Sequence, residues 1–138
     1  MIMRGDDIKR LIPQREPFMM IDECEAVDEN TAHTRLTVLS ENYFILPDQT
    51  MAESGLVEHI AQSAAALVGY QSLADNHPRI GLIGEIKHFE CIRRPMLNET
   101  IDTTIQFGFS FGNVTIAQGE CRVNGETIAK ANLKIFMQ

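Results

Sequence analysis

A long stretch with almost no charge, Leu56 to Gln71, constrains the fold of this chain more than any other feature. It carries one formally charged side chain, Glu58, beside His59 and a run of alanine and aliphatic residues. On a helix the larger apolar side chains form one broad stripe, and the opposite face consists of small residues. A helix with so few charges is normally buried. The pattern predicts a central helix over Thr50–Gln71 that the rest of the chain surrounds.

The start of this helix has the pattern of a capping box. Thr50 is followed three residues later by Glu53, and in such a box each side chain bonds to the backbone N–H of the other residue. We therefore expect Thr50 to cap the helix.

Glu58 is the unusual residue of the helix, because a carboxylate is rarely buried without a partner or a chemical task. Gln62 follows four residues later, so both side chains lie on one helix face. Glu58 is therefore either a structural carboxyl held by Gln62 or a backbone N–H, or a catalytic group.

Length and composition indicate one globular domain over residues 1–138. The chain is 44% hydrophobic and 22% charged, and a domain of this size buries roughly two-thirds of its unfolded surface. The net charge of −7 argues against a general affinity for nucleic acid, and no apolar run approaches the ~18 residues of a membrane span. Its three widely spaced cysteines predict reduced thiols in a cytoplasmic protein, without a disulfide or metal site.

The chain on both sides of the helix is predicted to form strands. Pro17–Val27 is a mostly buried run, and Thr31–Leu39 alternates between apolar and polar side chains. After a turn at Asp75–Pro78 four more strands follow, the last two joined by a hairpin at Asn124–Gly125. The first of these four is Arg79–Ile92, in which Gly81 and Gly84 indicate a bulge or a close backbone approach. In the second, one face consists of Ile101, Thr103, Ile105, Phe107 and Phe109. The third and fourth are Val114–Val123 and Thr127–Phe136.

This order predicts an α+β fold, an antiparallel sheet of about six strands wrapped around one long central helix. Such a sheet leaves an edge strand and an open face. Pairing two copies edge to edge would cover both, so we expect a dimer.

Three segments resemble a known family. They are IPQREPFMMID (Ile12–Asp22), LVEHIAQSAA (Leu56–Ala65) and EIKHFECIRRPMLNETI (Glu85–Ile101). Together they resemble the hot-dog-fold 3-hydroxyacyl-[acyl-carrier-protein] dehydratases of fatty acid synthesis, and are most similar to divergent dehydratase-like proteins of aryl polyene pathways. The likeness extends from about Ile12 to Phe136.

The resemblance implies a hot-dog fold and a set of site residues. Glu58 matches the carboxyl that delivers a proton to the departing hydroxyl, and Gln62 matches the glutamine that follows it. The substrate would be a 3-hydroxyacyl thioester on the phosphopantetheine arm of an acyl carrier protein, with no separate cofactor. Gly55 would allow close approach of the thioester at the helix start.

The catalytic histidine of the family is missing, because its position is occupied by Phe44. A phenylalanine cannot transfer a proton, and a shifted Asp48 would be a poor substitute for an imidazole. In the family the histidine and the glutamate of one site come from different subunits. The chain is therefore expected as a homodimer, or as a heterodimer with a histidine-bearing hot-dog protein.

The remaining candidates each have two interpretations. His59 is either catalytic or a dimer-facing or capping histidine. The basic cluster of Lys87, Arg93 and Arg94 is either a binding site or a solvated strand end. As a binding site it would receive the phosphopantetheine arm or the acidic face of a carrier protein.

Three functions remain open from the sequence. They are a dehydratase or dehydratase subunit that uses Glu58, a thioesterase of the hot-dog superfamily, and a non-catalytic subunit that binds acyl chains.

Overall fold

The computed structural model describes residues 1–76 and 79–138, and these form one sheet and one long helix. The strands are β1 (Ile2–Arg4), β2 (Glu23–Asp28), β3 (Thr31–Thr37), β4 (Gly81–Cys91), β5 (Thr100–Phe111), β6 (Val114–Val123) and β7 (Glu126–Met137). The helix α1 (Glu53–Ala74) lies between β3 and β4, and a 3-10 helix (Gly5–Arg10) follows β1. Of the turn predicted at Asp75–Pro78, His77 and Pro78 lie outside the described residues.

All seven strands belong to one antiparallel sheet in the order β1-β2-β3-β5-β6-β7-β4. Helix α1 packs against strands β2 to β7, which wrap around it. The predicted α+β arrangement is therefore confirmed, with the short β1 as an additional strand. The edges of the sheet are β1 and β4.

Small side chains allow α1 to lie close to the sheet and to the N-terminal segment. Gly119 of β6 leaves room for Ile60, because an added Cβ would lie 2.8 Å from that side chain. On the helix itself, an added Cβ at Gly69 would collide with the carbonyl oxygen of Leu11. The buried residues of α1 are Gly55, Leu56, His59, Ile60, Gln62, Ser63, Ala64, Ala66, Leu67 and Val68.

The predicted capping box is wrong. Helix α1 begins at Glu53, its N-cap residue is Ala52, and no side chain caps it. Thr50 instead donates a hydrogen bond from its hydroxyl to Asp48 (2.6 Å) and accepts one from Nε of Arg94 (2.9 Å). The hydroxyl is thus engaged in the preceding loop and is not available to the helix.

The predicted strand Pro17–Val27 is correct only in its second half, because β2 begins at Glu23. The carbonyl of Phe18 and both main-chain groups of Met20 bond to the side chains of Gln62 and His59 on α1. The N–H of Phe18 donates to the carbonyl of Arg15, within a turn. The first half of the segment therefore lies against the helix as an irregular chain.

Phe109 does not share the inward face of β5. Ile101, Thr103, Ile105 and Phe107 are buried as expected, whereas Phe109 is 71% exposed. The pairing of β5 with β6 shifts register between Phe107 and Ser110, and such a bulge redirects the side chains that follow it.

The predicted turn at Asn124–Gly125 and the predicted bulge at Gly84 are both confirmed. Asn124 and Gly125 both have positive φ, +51° and +80°, as the two-residue hairpin between β6 and β7 requires. The pairing of β4 with β7 shifts register at Gly84, between Ile83 and Glu85. The ring of Phe136 lies where a side chain at Gly84 would stand.

Candidate functional site

Glu58 lies near the start of α1, half-buried, with its carboxylate held on one side. Its Oε2 accepts a hydrogen bond of 2.8 Å from Nε2 of Gln62, one turn later. The predicted adjacency of these two side chains is therefore present. Among the residues that the structure describes, Oε1 has no hydrogen-bond partner. One carboxylate oxygen is thus fixed and the other is available to a ligand.

Gln62 is the link between Glu58 and the N-terminal segment. Its Nε2 also donates to the carbonyl of Phe18 (2.7 Å), and its Oε1 accepts from the backbone N–H of Met20 (2.7 Å). The side chain is only 1% exposed. Because both amide hydrogens and the amide oxygen are engaged, a flipped amide would lose these contacts, so the donor that faces Glu58 is fixed.

Phe44 packs against the first turn of α1 and next to Gly55. Its carbonyl accepts a hydrogen bond from the N–H of Ala52 (2.9 Å). A Cβ added to Gly55 would lie 2.8 Å from Cβ of Phe44 and 2.9 Å from Cγ of Met51. The space at Gly55 that we expected to serve a thioester is therefore occupied by these two side chains in this protomer.

An aromatic cluster that the sequence analysis did not identify lies beside the site. The rings of Phe18 and Tyr43 meet edge to face at 5.0 Å, and those of Tyr43 and Phe44 at 5.3 Å. Phe18 is 49% exposed and Tyr43 61%, although Phe18 is also the residue whose carbonyl Gln62 binds. The adjacent aromatic pair Tyr43–Phe44 before a buried helix was the available signal.

His59 points away from Glu58 into the core between α1 and the sheet. It is fully buried, with Nδ1 2.6 Å from the carbonyl oxygen of Met20 and Nε2 2.7 Å from Oγ1 of Thr103. Burial lowers its pKa to about 4. The dimer-facing and capping interpretations are therefore wrong. A sealed imidazole also cannot reach a substrate, and we assign it no proton transfer.

Asp48 lies in the exposed loop before the helix. Its carboxylate accepts hydrogen bonds from the hydroxyl and N–H of Thr50 and from Arg94. These partners, Thr50 foremost, hold the pKa of Asp48 below its ordinary value. A carboxylate stabilised in this way is a weak general base.

Each residue of the basic cluster is paired with a carboxylate, and Lys87 does not line the same cleft as the two arginines. Arg93 makes two hydrogen bonds to Glu99 (2.8 and 3.1 Å), and Nη2 of Arg94 lies 3.0 Å from Asp48. Both arginines line a surface cleft with Thr50 and Glu53, at the start of α1. Lys87 lies within β4, paired with Glu85 at 3.3 Å. The two arginines therefore share one cleft at the start of α1, and Lys87 is not among its lining residues.

The described part of the chain offers neither a cluster of metal ligands nor a membrane-spanning helix. Within residues 1–76 and 79–138, no group of three or more His, Cys, Asp or Glu side chains could hold a metal ion. No helix in the described part of the chain is long and apolar enough to cross a membrane.

Residues 6–138 match the family model described as ApeP-like, ApeP dehydratase. A relative with known activity is the 3-hydroxyacyl-[acyl-carrier-protein] dehydratase FabZ of Cereibacter sphaeroides. It is 28% identical over 139 residues, which cover 94% of this chain and 87% of the relative. The resemblance on which the sequence analysis relied is therefore confirmed.

Solved structures confirm the hot-dog fold. The dehydratase heterocomplex ApeI:P from Xenorhabdus doucetiae aligns with a TM-score of 0.86 at 15% identity, over 95% of this chain and 90% of that chain. A hypothetical thioesterase with coenzyme A from Streptococcus pneumoniae aligns with a TM-score of 0.70 at 11% identity, over 83% of this chain and 84% of that chain. At these identities the structural matches establish the fold.

Proposed function

The chain belongs to the ApeP-like dehydratase family, and on that premise we propose that it supplies Glu58 as one half of a dehydratase site. The histidine of that site comes from a different hot-dog protein. The substrate is a 3-hydroxyacyl thioester on the phosphopantetheine arm of an acyl carrier protein. The observation that carries this proposal is an oriented carboxylate with one free oxygen, in a chain that has Phe44 at the position of the family's histidine.

The proposed reaction divides its two proton transfers between two chains. The partner's imidazole removes the Cα proton of the substrate, the C–O bond at Cβ breaks, and the carboxyl of Glu58 donates its proton to the departing hydroxyl. A Cα=Cβ double bond forms and water leaves. Gln62 holds the carboxyl by its 2.8 Å hydrogen bond, which limits the rotation that would misdirect the proton. The N-terminal end of α1 favours the negative charge that develops on the thioester oxygen.

The open edge of β4 is where the partner would pair. One side of this strand has no neighbour in the described sheet, and an unpaired edge is a template for another strand. Exposed apolar side chains follow the strand and its ends, namely Ile80, Leu82 and Ile92. The partner could be a second copy or a histidine-bearing homologue, and only the second would complete the site.

The cleft at Arg93 and Arg94 is the proposed entry for the carrier arm. It lies at the start of α1 and includes Thr50 and Met96. A phosphate entering there would compete with Asp48 for Arg94. Because this ion pair is largely exposed, breaking it costs little.

The deciding experiment measures dehydration of a carrier-bound 3-hydroxyacyl substrate by the purified homodimer and by the chain co-expressed with a hot-dog protein that has the histidine. We expect the mixed complex to be faster by at least about 10², the usual contribution of a general base. Robust turnover by the homodimer would refute the shared site. A thiol-release assay on the same samples tests the thioesterase alternative. Binding of acyl thioester without either reaction would identify a non-catalytic subunit.

A further inference from the structure

His59 is a buried titratable side chain next to Glu58 in sequence that the proposed reaction does not use. It follows Glu58 in sequence but lies on the side of α1 that faces the sheet, between Met20 and Thr103. Thr103 Oγ1 lies 3.3 Å from Sγ of Cys121, a thiol whose pKa burial raises to about 11. The imidazole thus belongs to a buried network of polar side chains.

The partners of His59 determine its tautomer. The carbonyl of Met20 can only accept a hydrogen bond, so Nδ1 must carry a hydrogen. An imidazole whose pKa is about 4 is neutral near pH 7, so Nε2 has no hydrogen and accepts the single hydroxyl hydrogen of Thr103, which is then not donated to Cys121. Every polar atom of the ring is then used.

The segment that His59 binds is held largely by side chains of α1. Its other contacts include a turn bond from the N–H of Phe18 to the carbonyl of Arg15 (2.8 Å) and a contact of 3.4 Å between Nδ2 of Asn42 and Sδ of Met20. Residues Phe18 to Met20 are outside the sheet, so no strand ladder fixes their main-chain groups. Instead, Gln62 takes the carbonyl of Phe18 and the N–H of Met20, and His59 takes the carbonyl of Met20. Met20 is fully buried, and a buried carbonyl without a donor is costly.

We propose that His59 is a positioning residue for Glu58. By holding the Met20 carbonyl, it keeps Phe18 to Met20 where their main-chain groups fix the amide of Gln62, and that amide orients the carboxylate of Glu58. The expected effect of His59 on catalysis rests on the proposed function. Its effect on the position of Phe18 to Met20 is independent of that function.

Two substitutions of His59 test its hydrogen bonds to Met20 and to Thr103 separately. In His59→Asn the side-chain amide nitrogen takes the place of Nδ1, which preserves the bond to Met20 and removes the bond to Thr103. In His59→Gln the longer side chain reaches towards Thr103 and leaves the Met20 carbonyl without a donor. A residue with a general packing role would tolerate or reject both variants alike.

The first measurement is hydrogen exchange by NMR at the backbone N–H of Met20 and the side-chain amide of Gln62. We expect slow exchange in the wild type and in His59→Asn, and exchange faster by about tenfold or more in His59→Gln, since local opening exposes these groups. Equal exchange in both variants, after correction for their unfolding stabilities, would overturn the proposal. If His59→Gln does not fold, the ¹⁵N shifts of the wild-type imidazole decide, and a hydrogen on Nε2 in place of Nδ1 refutes it.

The second measurement is kcat of the complex with the histidine-bearing partner. We expect His59→Gln to lower kcat by about tenfold or more with KM little changed, because the carboxyl is misplaced while the substrate still binds. His59→Asn should stay within about threefold. Equal kcat for both variants would reject the catalytic consequence. If the wild-type complex is inactive, the proposed function fails, and the exchange measurement still decides the position of His59.

Discussion

Gly55 and Phe44 occupy one space at the start of α1: a Cβ at position 55 would lie 2.8 Å from the Cβ of Phe44. Neither residue can change size without affecting the other. The loop that carries Phe44 is thus packed against the first turn of the helix that carries Glu58.

Gly55→Ala should lower the free energy of unfolding by about 1–3 kcal/mol, the usual cost of overpacking. The double variant Gly55→Ala/Phe44→Gly should recover part of that loss, because it removes Cβ and Cγ of Phe44, which would lie 2.8 and 3.0 Å from the added methyl. Urea unfolding of the wild type, Gly55→Ala, Phe44→Gly and the double variant gives the coupling energy. Strict additivity would show that the two positions do not share this space.

Glu58→Gln should reduce dehydration by the mixed complex by about 10² to 10⁴, since an amide cannot donate the required proton. The substituted amide oxygen can still accept from Gln62, so the unfolding midpoint should change little. Glu29→Gln, at an exposed position in the turn between β2 and β3, is the matched control. Activity of Glu58→Gln within about threefold of the wild type would make Glu58 a structural residue.

Phe44→His should give the homodimer measurable dehydratase activity. The substitution places an imidazole at the position where the family has its histidine, and the chain already supplies Glu58. The control is Tyr43→His, which puts an imidazole on the adjacent, more exposed residue. Equal activity of the two variants, or none in either, would mean that Phe44 is not the position of the missing base.

The sequence could predict elements whose signals are local. The charge-poor run after Glu53 predicted the helix, and Asn124–Gly125 predicted its hairpin, because both signals lie within a few residues. The loss of the capping box and of the strand at Phe18 could not be predicted in this way. Their causes are contacts with Arg94 and with Gln62, which lie more than 40 positions away in the chain.

The same distinction applies to the site. The pair of Glu58 and Gln62 was predictable because residues four apart on a helix are neighbours. The role of Gln62 as a link to Phe18 and Met20 was not, since only the folded chain brings these segments together. His59 was ambiguous for a related reason: its sequence position beside Glu58 does not indicate which face of the helix meets the sheet.

Gly69→Ala should destabilise the protein by at least about 2 kcal/mol, although alanine is normally favoured over glycine in a helix by ~1 kcal/mol. The added methyl would meet the main-chain oxygen of Leu11, and backbone cannot rotate away as a side chain can. Ser54→Ala, at an exposed position of α1, is the control and should be neutral or stabilising. Thermal or urea unfolding that shows Gly69→Ala to be more stable than the wild type would contradict the close packing of Leu11 on α1.

The fold should become less stable as the pH is lowered, because of His59. Its pKa is lowered from the ordinary 6.5 to about 4 by burial, so between these values the unfolded chain binds a proton that the folded chain does not. The contribution is fully present above pH 6.5 and is lost as the pH falls towards 4.

The loss from His59 should approach about 3 kcal/mol, since each unit of pKa difference corresponds to ~1.4 kcal/mol. Urea unfolding at several pH values between 7 and 4.5 measures it, and His59→Asn, which has no titrating group, provides the reference. The stability difference between wild type and variant should shrink steadily as the pH is lowered, because only the wild type loses this contribution. If the two proteins lose stability in parallel over this range, then the imidazole is not buried in its neutral form and the network around Met20 is not as described.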